Sequence, residues 1–194
     1  MILSSTLNLK ESQNIYRILN LYFGKLGLIS NPRIKITSKN LYITFYYYSQ
    51  IHSYTLKDLH QLEKLLSLIL KKTTVLKAIP LKYPFLDSLI FAKYLANKKD
   101  PLRINLKTIC KSAVTSHEIP KYISGIEIKI QGWYLKSSTR TLSQILTIGT
   151  KTKNKDQSTY EFYNSNGSNT LAITLYSTPL FILLFLVLNW WVVD

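Results

Sequence analysis

Cations are the residues of this chain whose types and placing could do chemistry, and that chemistry is the binding of polyanions. Twenty-five Lys and Arg stand against ten Asp and Glu, a net charge of +15 at pH 7. Such an excess draws nucleic acid or an anionic membrane and says little about the fold. It is uneven: residues 1–50 net +5, residues 51–70 are neutral, residues 71–111 net +8 and the remainder +2. The electropositive middle closes on a basic amphipathic segment carrying Arg103, Lys107 and Lys111, with Lys98 and Lys99 in the polar break before it. Lysines also make ordinary solvated helix faces, so charge alone does not say which of them touch phosphate.

Other chemistries are poorly supplied. The single cysteine, Cys110, excludes an internal disulfide and a multi-cysteine metal site, and its apolar neighbours mark it as a core or interface residue. His52, His60 and His117 lack a ligand-like spacing. The ten acids are scattered and no Ser or Cys has a recognisable base partner, so an enzyme such as an organellar intron-associated nuclease has no visible site. No metal or cofactor is expected.

The elements that must position the cations follow from periodicity. A chain of 194 residues, 46% hydrophobic and with six Gly and six Pro, folds as one full domain or two small ones. Ile15, Ile18, Leu19, Tyr22 and Phe23 predict a helix over 14–26 closed by Gly24 and Gly27. Gly24-Lys25-Leu26-Gly27 also matches the Gly-x-x-Gly loop of RNA-binding KH domains, but a helix precedes it and extended chain follows, so C-capping is favoured. Residues 33–36 and 41–48 read as strands around a turn at 38–40. Phe45-Tyr46-Tyr47-Tyr48 could stack bases, although such a run is more often sheet core or protein interface. Thr55 opens a helix with the stripe Leu56, Leu59, Leu62, Leu66 and Ile69.

Residues 73–83 predict a strand that Pro80 confines to an edge or a bulge. A domain boundary is expected near Pro84, before a helix carrying Asp87 near its start and Leu86, Leu89, Ile90, Phe91 and Leu95 on its apolar face. In the strand that begins at Gly125, Ile126, Ile128 and Ile130 alternate with Glu127, Lys129 and Gln131, one buried face and one wet one. Lys136 and Arg140 follow it, a strand is predicted over 141–148, and Lys151, Lys153 and Lys155 fall in the loop beyond, where exposed lysines can reach phosphates. Asn164-Ser165-Asn166-Gly167 joins strands at 159–163 and 171–176 as a hairpin.

The amino end shows no secretory signal or transit pattern. Leu180 to Val193 is an apolar run of fourteen residues broken by Asn189, against about 20 for a straight bilayer span. With Trp190 and Trp191 it keeps a tail-anchored basic membrane protein open as an alternative.

Several stretches together resemble one family. Tyr83-Pro84-Phe85-Leu86-Asp87-Ser88 resembles a Pro-x-Leu-Asp motif, Ile123 to Gly132 a Gly-Ile-x-Ile-x-x-Ser-Gly strand and Asn164 to Leu175 a final hairpin, all of small-subunit ribosomal protein three in its reduced, mitochondrially encoded fungal (Var-type) form. Ile29-Ser30-Asn31-Pro32 and the Thr55 helix are similar to that family's KH-like half, and the likeness covers most of residues 28–178.

The resemblance implies an α+β fold: a KH-like domain over 1–83, a carboxyl-terminal α/β domain with a mainly antiparallel sheet over 84–178, and an apolar extension over 179–194. It implies a structural, rRNA-binding component of the mitochondrial small ribosomal subunit, in the matrix. It further implies a site in the head near the channel by which mRNA enters, with mRNA and neighbouring ribosomal proteins as partners and the tail as a candidate for membrane proximity. The family's channel helix reads aromatic-Arg-Arg-x-x-Lys-Arg; here Lys107 and Lys111 keep the charge while Thr108 and Ser112 do not. The family's KH glycine loop is replaced by residues 49–54, and its Arg after Gly132 is Trp133, with Arg140 the nearest later arginine.

Overall fold

The computed structural model describes residues 9–24, 27–37, 40–49, 56–98, 104–106, 123–133 and 142–177. The class is α+β, in two compact units, Met1–Leu86 and Asp87–Asp194.

In the first unit α1 (Leu9–Phe23) buries Ile15, Leu19 and Phe23. It starts at Leu9 rather than Asn14 because the polar residues ahead of the apolar stripe are adequate helix formers and none breaks the helix. Its end lies at the glycines, with Gly24 N–H donating to the Asn20 carbonyl at 2.9 Å and Gly27 N–H to the Phe23 carbonyl at 3.1 Å. Both glycine donors therefore satisfy helix-terminal carbonyls.

Strands β1 (Leu28–Ile29) and β2 (Arg33–Ile36) pair antiparallel with one edge of β3 (Asn40–Tyr48), Ile29 opposite Tyr47 and Arg33 opposite Thr44. Ser30 bridges the two short strands, its N–H donating to the Tyr46 carbonyl and its Oγ accepting the Tyr46 N–H, both at 2.9 Å. After α2 (Leu56–Leu70), β4 (Thr73–Pro80) runs parallel to β3 along its other edge. Paired on both sides, β3 decides the unit. Leu41, Ile43, Phe45 and Tyr47 are buried among residues of α1 and α2, while the alternate positions face away. The Phe23 and Phe45 rings meet at 5.4 Å, and Tyr22 Oη donates to Gln61 Oε1 at 3.4 Å between the helices.

The stripe on α2 is Leu59, Leu62, Leu66 and Leu70; Ile69 is instead 61% exposed. At 3.6 residues per turn the core-facing line passes from Leu66 to Leu70 and leaves Ile69 to one side. Among the described residues β4 has only β3 as a neighbour, the edge position that Pro80 demands. Its outer edge is partly covered: Glu63 on α2 accepts the Leu76 N–H at 2.7 Å, and its carbonyl accepts from Thr74 Oγ1 at 2.8 Å.

A 3-10 turn, Pro84–Leu86, ends the first unit. The second unit has α3 (Ser88–Ala96) and strands β5 (Ile123–Gly132), β6 (Leu142–Gly149), β7 (Lys155–Asn164) and β8 (Gly167–Ser177). The sheet is antiparallel throughout, in the order β6-β5-β8-β7. The hairpin strands run longer than their apolar cores because polar residues such as Lys155 and Gln157 join the ladder through their backbones. Asp87 caps α3, its Oδ1 accepting the Ile90 N–H at 2.9 Å, and Asp156 on β7 accepts the Ser88 N–H at 2.9 Å. Leu86 lies in the preceding turn, not on the helix. Leu86-Asp87-Ser88 thus supplies one acid at the helix start and β7 supplies the other.

Helix α3 packs on β7 and β8 and is buried on nearly every side, Lys93 included. Burial pushes the Lys93 ammonium down to about 8, against the pull of Asp87. The folded state therefore binds this proton more weakly than the unfolded chain does, so stability should rise as pH climbs from 8 towards 10.5. The full span is worth about 3 kcal/mol. Urea unfolding of Lys93→Met across that range is expected to lack this rise; an unchanged slope would contradict the assignment.

Candidate nucleic-acid interface

The wet face of the second sheet is set by the pleat of β5. Ile126, Ile128 and Ile130 are at most 1% exposed, so Glu127, Lys129 and Gln131 must emerge on the other side. Register extends that side: Lys129 lies between Ile145 on β6 and Ala172 on β8, and Lys155 on β7 stands opposite Tyr176. Lys155 thus opens a strand, whereas Lys151 and Lys153 lie in the connection before it.

These cations are not equivalent. Lys151 Nζ sits 2.6 Å from Glu127 Oε2, and Tyr176 Oη donates to the same oxygen at 3.1 Å. The hydrogen bond from Lys151 holds the Glu127 carboxyl below the usual range and in return raises the lysine; burial, then Glu127, raises the Tyr176 phenol. Lys151 is thereby partly neutralised as a phosphate ligand. Lys153 and Lys155 are exposed, and among the described residues no carboxylate pairs with them. Lys98 is exposed with its Nζ 4.7 Å from the Tyr94 ring centroid, a cation–π contact that leaves the charge in water. Lys99, Arg103, Lys107, Lys111, Lys136 and Arg140 lie outside the described residues, as do Cys110, His52 and His117. His60 pairs with Glu63 at 2.8 Å, and among the described residues no cluster of His, Cys, Asp or Glu could hold a metal ion.

The far end of the sheet is closed by the hairpin between β7 and β8. Asn164 Oδ1 accepts the backbone N–H groups of Asn166 and Gly167 at 2.9 and 3.0 Å, and its Nδ2 donates to the Trp133 carbonyl at 3.2 Å. Gly167 has φ +139°, and a Cβ there would stand 3.3 Å from Trp133 Cδ1. The indole at 133 therefore packs against the turn, a structural task at the position where the resembled family has arginine.

The family model described as mitochondrial ribosomal protein (VAR1) matches residues 27–178, well over half of the chain. The chain belongs to the VAR1 family. It is accordingly a protein of the mitochondrial ribosome. A comparison with curated proteins found no match. The VAR1 match begins just before β1 and runs past the end of β8, so it takes in all the strands of both units and leaves α1 ahead of it. The apolar run from Leu180 lies beyond the match and outside the described residues; among the described residues no helix is long and apolar enough to cross a membrane.

Two features of this VAR1-family chain escape a reading of its sequence. Glu127 is the anion that holds Lys151, a pairing that exists only once β5 and its neighbours are in register. Arg33, Lys35 and Lys77 line one side of the first sheet beside the β3 tyrosines, a grouping whose trace in the sequence is the alternation Arg-Ile-Lys-Ile. Gly167→Ala is expected to cost roughly 1–3 kcal/mol, because that φ is open almost only to glycine. Chemical denaturation checks this, and an unchanged midpoint would exclude the strained turn.

Proposed function

We propose that the chain is a structural, non-catalytic component of the small mitochondrial ribosomal subunit. In this reading it binds rRNA in the head, near the channel by which mRNA enters, and contacts neighbouring ribosomal proteins. Lysines neutralise rRNA phosphates, and sheet shape sets which phosphates they meet. The observation that carries this is the exposed pair Lys153 and Lys155 at one end of the second sheet, with which no carboxylate among the described residues forms an ion pair, in a VAR1-family chain of net charge +15. Lys98 adds a further exposed cation. Ile145 and Tyr163, 56% and 80% exposed, offer apolar surface to protein neighbours.

Titration of a small-subunit rRNA fragment at several salt concentrations tests the reading. Log affinity should fall linearly with log salt, by about 0.9 per neutralised phosphate in a duplex. Lys155→Gln should flatten that slope by about one unit, Lys151→Gln by clearly less because Glu127 already occupies that ammonium, and Glu127→Gln should steepen it. Binding insensitive to salt, or equal effects at 151 and 155, would overturn this account of the interface.

A further inference from the structure

The face of the first sheet turned away from its helices has an ordered composition. Cross-strand register puts Lys35, Tyr42 and Val75 in one row and Arg33, Thr44 and Lys77 in the next, while Tyr46 stands beside Ile79 in the third. Two tyrosine rows thus enclose a row with a cation on each flank. Strands β1 to β4 contain no Asp or Glu. Arg33, Lys35 and Lys77 are exposed, Tyr42 is 39% exposed, and Tyr46 is half-buried. A shallow depression of about 590 Å³ runs over this face, lined by Arg33, Lys35, Thr37, Tyr42, Thr44 and Tyr46.

Each part of this pattern fits one kind of ligand. Tyrosine faces stack bases without regard to sequence, and flanking cations take the phosphates between them. Four residues along a strand separate Tyr42 from Tyr46 by roughly 13 Å, far more than the ~3.4 Å rise of stacked bases. The two rings therefore suit bases splayed apart, which a duplex does not offer. Tyr42 is steadied by Asn40, whose Nδ2 donates to its hydroxyl at 3.3 Å. Tyr46 lies under Arg33, whose Cζ is 5.7 Å from the ring centroid; an arriving base displaces this long exposed side chain towards its own phosphate.

We infer that this open face binds an unpaired stretch of RNA, with bases on Tyr42 and Tyr46 and the intervening phosphates held by Arg33, Lys35 and Lys77. The site lies in the other unit from Lys153 and Lys155 and goes beyond the phosphate contacts proposed above, so either can fail without the other.

The test uses the full chain, a labelled ten-nucleotide uridine RNA and a blunt RNA duplex of equal length, read by fluorescence anisotropy. Tyr42→Leu with Tyr46→Leu should weaken single-strand binding tenfold or more while duplex binding shifts less than about twofold. The Tyr→Phe pair should stay close to the native affinity. Arg33→Gln, Lys35→Gln and Lys77→Gln together should flatten the single-strand salt slope by about two units; because all three side chains are exposed, this arm decides the matter even where the leucine pair fails to fold. Retained binding by a folded leucine pair, an equal loss on duplex or an unchanged salt slope would overturn the inference. So would a photoreactive residue at position 46 that joins a protein rather than RNA in assembled ribosomes.

Discussion

The pleat of a strand paired on both edges governs what this chain can present to its surroundings. In β3, Leu41, Ile43, Phe45 and Tyr47 enter the core, and each one that does so sends a neighbour to the opposite face. The same constraint acts in β5, where three isoleucines turn Glu127, Lys129 and Gln131 outward. A shift of one residue would expose the core in either strand, and in β5 it would also bury Glu127 and Lys129, at a cost of several kcal/mol for an unpaired charge. The proposed binding surfaces are thus the complements of the cores, and the core of each unit fixes which side chains appear together on its outer face.

Within that constraint the acids are used sparingly and locally. Asp87 and Asp156 satisfy the start of α3, Glu63 covers the outer edge of β4, and Glu127 orders Lys151. Asp87, Asp156 and Glu63 are taken up by backbone donors, and only Glu127 among these four pairs with an exposed lysine. A strongly basic chain can therefore fold with few acids and still keep most of its positive field for a polyanion. The cost falls at Lys93, a charge taken into the packed side of α3 and held there with a weakened proton.

Alternation made the buried and wet faces of β5 legible, because a half-buried strand has only one solution to that pattern. The Asn-Gly turn and the Asp87 cap were legible for the same local reason. Helix and strand ends were less so: α1 extends through polar residues that carry no periodic signal, and β7 is hydrogen-bonded where its side chains are polar. The substance of the sites was least legible. The aromatic run read as a unit separates into Phe45 and Tyr47 in the core and Tyr46 on the open face, joined there by Tyr42 from outside the run and by cations from two other strands. Lys151 likewise looked equal to its neighbours until β5 brought Glu127 to it.

The proposal that rRNA phosphates hold the chain in the small mitochondrial subunit rests on its membership of the VAR1 family and on its exposed lysines. Sedimentation of a tagged chain from mitochondrial lysate, with magnesium present and again after its removal, tests that most directly when gradient fractions are probed for small-subunit rRNA. The account predicts co-migration with the small subunit in magnesium and with its rRNA-containing particles after the subunits part. Migration with the large subunit, or with membranes free of rRNA, would contradict it.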